Sequence, residues 1–505
     1  MATYLLVVDV GTTNTKGALV SPSGEVVHVA SRPAGVRSVD GHLVQDAGQI
    51  LSATTAVLKE CAEAGDPRDV QNLVIGGNQS ALVWVDADHV AVTPIDSWLD
   101  THYYAHMVRM AAQLRTGSRG LDPVESASLD NFVHLAKAHW WLTERPEAVR
   151  NAVRWTSPGC YAAGRLAGRK GREAYIDVTS IAYSGLIDLP SARWLTDLSD
   201  EAGVPSSMLP TPLEATVQIG ALTAEFAALT GLPSGMPILA GCGDFPAAAL
   251  GAGAEFEGGV TVDIGGTTSL FAAAVPSAHF DSADILRPSP SGRAGEWYLF
   301  AHVPGGRAIE WFDNTFGLSR GGMTLASLEE RARALPVGSD GLVFVPHLSG
   351  RMSPPSAEMR GSWNGFSWEH EAAHFYRSIL EAVAFEYSVY LRRLNEVAAE
   401  SFPDFSARQV RVVGSAARNQ LWNQIKADCM RLPVYTSTDV EATARGLAII
   451  GAVGAGIWGS WKEAAERMAA TFTRAAMPNP ESVRLYEQAA DRYHRVVAQS
   501  ETQSE

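Results

Sequence analysis

Aspartate, glycine and threonine residues follow the first apolar segment in an order that suits phosphate binding. Residues 4–8 are apolar or aromatic and lead into Asp9, which Gly11, Thr12 and Thr13 follow. Such a run predicts a buried strand, and an unpaired charge at its buried end would be costly. Glycine lets a ligand approach the backbone, and threonine hydroxyls add donors beside the main-chain N–H groups. The pattern indicates a phosphate cradle with a carboxylate placed for a metal ion; an ordinary hairpin turn is the alternative.

The same order of residues recurs in the second half of the chain. An apolar strand pattern leads into Asp263, and Gly266, Thr267 and Thr268 follow before apolar residues resume. Asp9 and Asp263 are 254 positions apart in a chain of 505 residues. Two halves that each present such a turn could face one another and hold a polyphosphate between them. The recurrence favours phosphate binding over chance.

Polar and aromatic residues at the ends of predicted strands form a second candidate site. Asn78, Gln79 and Ser80 follow one strand pattern, and Trp98 and Asp100 follow another. Loops at strand ends in α/β domains commonly hold ligands. An indole floor with polar partners for hydroxyl groups would suit a polyol. Ordinary turn chemistry is the alternative.

A glycine-rich turn around Asp244 forms a third candidate site. Residues 237–251 combine an apolar strand pattern, this turn and an alanine-rich helix in which Pro246 suits the first turn. Asp244 could be an N-cap, whereas its neighbours Gly241 and Gly243 suggest a carboxylate held where a ligand approaches the backbone. The segment lies between the two repeats, where an interdomain cleft would be.

Two small-residue turns in the second half precede predicted helices. Gly306 precedes the first helix, and Gly414, Ser415 and Ala416 join a predicted strand at 409–413 to the second. A small-residue turn at a helix N-terminus suits a nucleotide, although such a turn alone is not specific.

Length and composition limit the class of protein. A chain of 505 residues is too long for one core, so at least two domains are expected. The 46% hydrophobic and 19% charged residues are typical of a soluble globular protein. The net charge of −15 disfavours nucleic acid and anionic membranes as partners.

Targeting and cysteine patterns predict a cytoplasmic protein. The chain begins in a strand pattern without a signal-peptide pattern, and it contains no apolar run long enough to cross a bilayer. The four cysteines have neither metal-ligand spacing nor a disulfide framework. We therefore expect buried, reduced thiols.

Taken in order, these motifs resemble the FGGY carbohydrate kinases, which belong to the superfamily of actin, hexokinase and the heat-shock chaperone ATPases. The first phosphate motif of the family is matched by Asp9, Gly11, Thr12, Thr13 and Lys16, and the second resembles Gly266, Thr267 and Thr268. The catalytic segment falls on 241–244, and the adenosine segment resembles 414–418 and 441–446. Further signature matches are Lys137, Trp140, Gly361, Trp363, Gly365, His374, Ser378 and Glu381. The resemblance covers about residues 4–460.

The resemblance implies an α/β fold of two actin-like (ribonuclease H-like) domains around an interdomain cleft. Residues 1–251 would form the N-terminal domain, with the sugar site, the first phosphate motif and the catalytic aspartate. Residues 252–505 would form the C-terminal domain, with the second phosphate motif and the adenosine motif. ATP and Mg²⁺ would lie between the two domains.

The resemblance also implies roles for single residues. Asp244 would be the general base that takes the proton from the attacking sugar hydroxyl, and Asp9 with Asp244 would hold Mg²⁺. The residues implied to contact the nucleotide are Gly11, Thr12, Thr13, Lys16, Gly266, Thr267, Thr268, Gly306, Gly414, Ser415 and Ala416. The residues implied to contact the sugar are Asn78, Gln79, Ser80, Trp98, Asp100, Asp244 and Phe245.

Some residues depart from the family pattern. Ser415 and Ala416 stand where glycines are usual, and their Cβ atoms would restrict the approach of a nucleotide to the backbone. Phe245 stands where xylulokinase-like members often have asparagine. Phe245 and Phe132 would make the pocket more apolar, and an apolar pocket would favour a smaller or deoxygenated polyol. His102 stands where pentulose kinases often have arginine after their Trp-x-Asp motif.

The predicted function is ATP-dependent phosphorylation of a sugar hydroxyl, with a pentulose such as xylulose as the substrate. One alternative is a kinase for glycerol or another polyol. Another is a catalytically impaired regulatory protein of the same fold that binds sugar and nucleotide, and a third is an actin-like or chaperone ATPase. The sequence leaves open the sugar, the hydroxyl and the oligomeric state, for which a homodimer is one alternative.

Overall fold

The architecture was obtained from a computed structural model that describes most of the chain. The described residues are 3–115, 133–185, 187–188, 190–254, 257–266, 269–278, 281, 283, 285–293, 295–318, 321–356, 358–403, 405–437 and 441–502. They divide into two compact units. The first comprises Met1–Gly251, Ser289–Trp297 and Thr443–Ala469, and the second Ala252–Pro288, Tyr298–Ala442 and Ala470–Glu505.

Strands and helices are interspersed along both units. The strands are β1 Tyr4–Val10, β2 Asn14–Val20, β3 Val26–Pro33, β4 Val36–Val39, β5 His42–Gln45, β6 Val70–Gly77, β7 Val83–Val85, β8 Ile95–Asp96, β9 Arg154–Thr156, β10 Tyr175–Asp177, β11 Ile187–Asp188, β12 Arg193–Trp194, β13 Thr211–Leu213, β14 Gln218–Ala221, β15 Pro237–Leu239, β16 Val260–Gly265, β17 Ser269–Val275, β18 Arg287–Pro290, β19 Trp297–Val303, β20 Val343–Val345, β21 Arg351–Met352, β22 Pro355–Ser356, β23 Ser362–Asn364, β24 Gln409–Gly414, β25 Val434–Thr436 and β26 Thr473–Ala476. The helices are α1 Ala47–Glu63, α2 Tyr104–Arg115, α3 Val133–Glu144, α4 Pro146–Val149, α5 Pro158–Leu166, α6 Thr196–Glu201, α7 Ala224–Thr230, α8 Asp244–Gly251, α9 Gly306–Phe316, α10 Leu325–Arg333, α11 Ala372–Ser401, α12 Gln420–Met430, α13 Ala442–Gly454, α14 Trp461–Met468 and α15 Pro480–Thr502. The predicted α/β class is confirmed.

A six-stranded sheet in the order β14-β15-β6-β1-β2-β3 forms the centre of the first unit. Strand β1 pairs antiparallel with β2 and parallel with β6, and β15 pairs parallel with β6. Both faces of β1 are covered, because Leu6 and Val8 lie in one apolar core and Leu5 and Val7 lie in another. A strand buried on both faces has a continuous apolar sequence, as residues 4–8 have.

The second unit contains a seven-stranded sheet in the order β18-β19-β17-β16-β24-β25-β26. Strand β16 pairs antiparallel with β17 and parallel with β24, which repeats the pairing of β1 with β2 and β6. The sequence repeat therefore corresponds to a repeated arrangement of strands.

Helix α13 belongs to the first unit although it lies late in the sequence. Leu447 and Ile450 pack in the same core as Leu5 and Val7 of β1. Small residues let the helix approach closely, since a Cβ at Gly446 would lie 1.8 Å from the carbonyl oxygen of Ala247. The sequence assigned all of 252–505 to the C-terminal domain, and the structure differs from that assignment at Ser289–Trp297 and Thr443–Ala469. The domain boundaries themselves stay a prediction.

Other sequence expectations concern cysteines and membranes. Cys61, Cys160, Cys242 and Cys429 are free, and the first three are buried. None of the helices in the described part of the chain has the length and hydropathy that a membrane crossing requires.

Candidate active site

Three adjacent parallel strands bring the candidate residues of the first unit to one edge of its sheet. Strand β1 ends beside Asp9, β6 leads into Asn78, and β15 leads into the turn before Asp244. The ends of these strands are in register, because Val10 pairs with Gly77 and Gly77 bridges to Gly243. The carboxyl ends of parallel strands are where α/β proteins bind ligands.

The first phosphate turn is closed by short backbone contacts. The N–H of Gly11 donates to the carbonyl oxygen of Asn14 over 3.1 Å, and a Cβ at Gly11 would lie 2.7 Å from that oxygen. The amide of Gln45 donates to the carbonyl oxygen of Thr12 over 3.1 Å. Lys16 lies opposite Asp9 in the register of β1 and β2. The turn therefore requires glycine at position 11, and it places the lysine and the carboxylate on neighbouring strands.

The hydroxyl of Thr12 joins the phosphate turn to the polyol-binding candidates. Its Oγ1 accepts hydrogen bonds from Trp98 Nε1 over 2.6 Å and from Asn78 Nδ2 over 3.2 Å. Thr13, in contrast, is exposed. Thr12 therefore fixes the orientation of both side chains, a role that its sequence position did not reveal.

Asp244 is the first residue of α8 and is half-buried. Its Oδ1 accepts a hydrogen bond from the N–H of Phe245 over 2.8 Å. Burial raises the pKa of Asp244 to about 6, and the negative charge of Asp177 adds to this effect, while backbone N–H groups oppose it.

Residues that sequence reasoning missed support the turn before Asp244. The N–H of Gly243 donates to Thr179 Oγ1 over 2.8 Å, and the Thr179 hydroxyl donates to Asp177 Oδ1 over 2.5 Å. Gln79 Nε2 donates to the Thr179 carbonyl oxygen over 2.9 Å. A Cβ at Gly243 would lie 2.1 Å from Gln79 Cγ, so the Gln79 side chain packs directly on the turn. Asp177 and Thr179 lie in a stretch without any motif, and no local sequence signal identifies them.

A fully buried lysine holds together the loops that carry Ser80 and Trp98. Lys137 Nζ donates to the carbonyl oxygens of Ser80 over 2.8 Å, Ser97 over 2.9 Å and Asp96 over 3.3 Å. Burial lowers the pKa of Lys137 to about 8, and the carboxylates of Asp96 and Asp100 oppose this effect. The sequence identified Lys137 only as part of a signature, and the structure shows what it contacts.

The predicted sugar residues differ in exposure. Trp98 is 37% exposed, whereas Asn78 and Gln79 are each 4% exposed and Phe245 is 3% exposed. Asp100 is also buried, and its Oδ2 accepts a hydrogen bond from the N–H of Leu43 over 2.7 Å. Of these residues, Trp98 offers the largest open surface to a ligand.

The second unit brings the nucleotide candidates together around a cavity of about 430 Å³. Gly266, Gly306, Ser415 and Ala416 all line it. The N–H of Gly306 donates to the carbonyl oxygen of Gly266 over 3.2 Å. The N-terminus of α9 at Gly306 thus borders the cavity, as suits an anion. Thr267, Thr268 and Phe132 lie outside the described residues.

The departures at Ser415 and Ala416 leave the critical glycine in place. Gly414 has φ +79°, and a Cβ there would lie 2.1 Å from the carbonyl oxygen of Gly265. Ser415 and Ala416 follow in a 3₁₀ turn, with Ser415 exposed and Ala416 buried. The left-handed conformation is required only at Gly414, so side chains at the next two positions fit the turn.

Comparison with known proteins identifies the class of protein that combines this fold with these turns. Models of the N-terminal and C-terminal domains of the FGGY family of carbohydrate kinases match residues 4–251 and 264–455. The chain is thus a sugar kinase. It belongs to the FGGY family of carbohydrate kinases, as its motifs predicted.

Relatives match along nearly the whole chain. Xylulose kinase from Bacillus subtilis is 25% identical over 501 residues, which cover 98% of this chain and 96% of the relative. L-Fuculokinase from Escherichia coli is 27% identical over 476 residues, which cover 91% of this chain and 94% of the relative. The structure of xylulose kinase from Rhodospirillum rubrum aligns with a TM-score of 0.86 at 25% identity and 99% coverage of both chains. The two-domain actin-like fold and the use of ATP as phosphate donor follow from the family.

Proposed function

We propose that this kinase transfers the γ-phosphoryl group of ATP to a hydroxyl of a pentulose such as xylulose, with Asp244 as the general base. The observation that carries the proposal is the position of Asp244. Its half-buried carboxylate, with a pKa raised to about 6, lies at the edge of the sheet where the phosphate turn and the polar loops also end.

The pKa of Asp244 suits proton transfer near neutral pH. A carboxylate with a pKa of about 6 is mostly ionised at pH 7, yet it is more basic than an ordinary aspartate. In phosphoryl transfer, alignment and charge stabilisation supply most of the catalysis, and the base accepts the hydroxyl proton as the oxygen attacks phosphorus. The hydrogen bond from the Phe245 N–H keeps the accepting carboxylate in a fixed orientation.

The donor set at this edge fits Mg²⁺. Burial is the main cause that raises the pKa of the Cys242 thiol, and the charges of Asp177, Asp244 and Asp9 add to this effect. Asp9 and Asp244 therefore both act on the region around Cys242. Carboxylate oxygens are the ligands that this hard cation prefers. Asp9 and Asp244 would therefore hold Mg²⁺, directly or through water, and the bound ion would neutralise charge on the phosphates.

The nucleotide half of the proposal rests on the glycine-bordered cavity of the second unit. The N-terminus of α9 borders this cavity, and the partial positive charge of a helix N-terminus favours phosphate oxygens. Ser415 and Ala416 line the cavity beside Gly266 and Gly306, which gives ATP a wall of backbone and small side chains.

The exposed indole of Trp98 and the matches to xylulose kinases support a pentulose as the substrate. Trp98 Nε1 is bound to Thr12, so one face of the indole can stack on an apolar face of a sugar while its edge stays fixed. Because L-fuculokinase matches at similar identity, deoxysugars should be tested as substrates beside pentuloses.

A coupled ADP-release screen tests the proposal. The purified protein is supplied with ATP, Mg²⁺ and a panel of ketoses, aldoses, polyols and aldonates, including xylulose and fuculose. We expect ADP release that depends on a sugar and is fastest with a pentulose. If ADP is released only with sugars other than pentuloses, the assignment of a pentulose as the substrate is overturned. ATP binding without any sugar-dependent release would favour the alternative of a regulatory binding protein.

A further inference from the structure

Two histidines and an aspartate of the first unit direct their donor atoms toward one point. His42 begins β5, and Asp100 and His102 lie in the loop after β8. One ligand atom from each of the three side chains lies within 4.8 Å of the others. The Nδ1 atoms of His42 and His102 are 2.7 Å apart, and His42 Nδ1 is 3.7 Å from Asp100 Oδ2. His102 Nδ1 also contacts Asp100 Oδ1.

Protons alone satisfy this arrangement poorly. A neutral imidazole carries one N–H, so a single hydrogen on His102 Nδ1 would have to serve both the carboxylate and His42 Nδ1. With the hydrogen on His102 Nε2 instead, the N–H of His42 Nδ1 could donate to His102 Nδ1, but the contact between His102 Nδ1 and the carboxylate would have no hydrogen. A cation can accept all three lone pairs at once.

Backbone groups hold the carboxylate of Asp100 in position. Its Oδ2 accepts from the N–H of Leu43 over 2.7 Å, and its Oδ1 accepts from the N–H of His102 over 3.1 Å. Groups that orient a ligand in this way are typical supports of metal sites. The side chains of His42 and His102 remain 19% and 25% exposed, so the cluster has an opening toward solvent.

Aromatic rings surround the cluster on its protein side. The ring centroid of Trp140 lies 4.8 Å from that of His42 and 5.0 Å from that of His102. The ring centroids of Tyr103 and His102 are 3.8 Å apart. An apolar wall strengthens the attraction between a cation and a carboxylate.

We propose that His42 Nδ1, His102 Nδ1 and the Asp100 carboxylate bind a divalent transition-metal ion of the Zn²⁺ type, with water in an open fourth position. Two imidazoles and one carboxylate are a common ligand set for zinc and its neighbours. Mg²⁺ and Ca²⁺ prefer oxygen ligands throughout, so this site differs in chemistry from the proposed Mg²⁺ site at Asp9 and Asp244.

A second imidazole pair in the same unit provides an internal control. His106 Nε2 contacts His139 Nδ1, but no carboxylate or thiol joins this pair as a third ligand among the described residues. Two ligands bind a metal ion more weakly than three. His139→Ala therefore removes a comparable half-buried imidazole without touching the proposed site.

Metal loading of the full chain tests the proposal. The protein is stripped with a chelator, equilibrated with Zn²⁺ or Co²⁺ in the presence of excess Mg²⁺, and desalted. We expect about one equivalent of metal per chain and the visible absorption of four-coordinate Co²⁺. His42→Ala and His102→Ala should weaken Co²⁺ affinity by at least about tenfold, whereas His139→Ala should leave it unchanged.

Two results would overturn the proposal. One is the absence of stoichiometric metal from the unaltered protein, which needs no variant to fold. The other is the same loss of metal in His139→Ala as in His42→Ala. Asp100 is left unchanged because it also belongs to the proposed sugar residues. Metal content does not depend on turnover, so a failure here is distinguishable from a failure of the ADP-release screen.

Discussion

Lys426 Nζ lies 2.5 Å from Asp263 Oδ2, and both side chains are completely buried. The hydroxyl of Tyr387 donates to the other carboxylate oxygen over 2.5 Å. Asp9, the corresponding residue of the first repeat, is half-buried and lies opposite Lys16 across two strands. The two repeats therefore share a strand arrangement but differ at their aspartates. Asp263 is enclosed in the second unit by two side-chain partners, whereas Asp9 keeps some exposure to solvent.

Removing the lysine partner of Asp263 is expected to destabilise the protein. Lys426→Met would leave an unpaired carboxylate in the core, which costs about 3–5 kcal/mol. The measurement is urea unfolding compared with Lys59→Met, which alters an exposed lysine. A loss no larger than that of the control would contradict a stabilising role for the ion pair.

Asp244→Asn tests the general base. The amide cannot accept the hydroxyl proton, so sugar-dependent ADP release should fall about 10²–10⁴-fold, while ATP affinity should stay near that of the unaltered protein. Asp197→Asn, at an exposed position, serves as the control. Near-normal turnover by Asp244→Asn would contradict the assignment.

The pH dependence of turnover should report the same group. Because the pKa of Asp244 is raised to about 6, the carboxyl is protonated and inactive below that pH and ionised above it. Turnover divided by the Michaelis constant should rise with pH through about 6 and level off near 7. The residual activity of Asp244→Asn should not rise with pH in this range. If it rises as in the unaltered protein, the pH dependence belongs to another group.

The turn before Asp244 should not tolerate a side chain at Gly241. Gly241 has φ +73°, and a Cβ would lie 2.0 Å from the carbonyl oxygen of Ile75. Gly235 has φ +87° with no atom within 4 Å of a Cβ, so Gly235→Ala measures backbone strain alone, about 1–2 kcal/mol. We expect Gly241→Ala to lower stability further and to reduce turnover, as measured by thermal unfolding and ADP release. Equal behaviour of the two variants would show that the contact with Ile75 is unimportant.

Replacing Lys137 should weaken sugar binding more than nucleotide binding. Lys137→Met removes the donor that the carbonyl oxygens of Ser80, Asp96 and Ser97 share. Backbone N–H groups still donate to Asp96 and Ser97, so the main cost is the unsatisfied oxygen of Ser80, about 1–3 kcal/mol. The loops that carry Ser80 and Trp98 should shift, which should raise the Michaelis constant for the sugar and leave that for ATP nearly unchanged. Lys170→Met removes a surface lysine paired with Asp88 and is the control. Equal changes in both constants would contradict this role.

Local patterns predicted the elements and the turns, and they did not predict the contacts between distant residues. The strand at β1, the helix at 420–430 and the turn before Asp244 follow from apolar periodicity, glycine and proline, which act over a few positions. The support of Gly243 by Thr179 joins residues 64 positions apart and has no periodic signal. The contact of Trp98 with Thr12 spans 86 positions and escaped prediction for the same reason.

The position of helix α13 has a consequence for synthesis of the chain. Leu447 and Ile450 complete the core that Leu5 and Val7 begin, although more than 400 residues separate them. A nascent chain that has reached residue 251 has all the strands of the six-stranded sheet but lacks the helix that covers one of its faces. The first unit to be translated is therefore completed only after most of the second has left the ribosome.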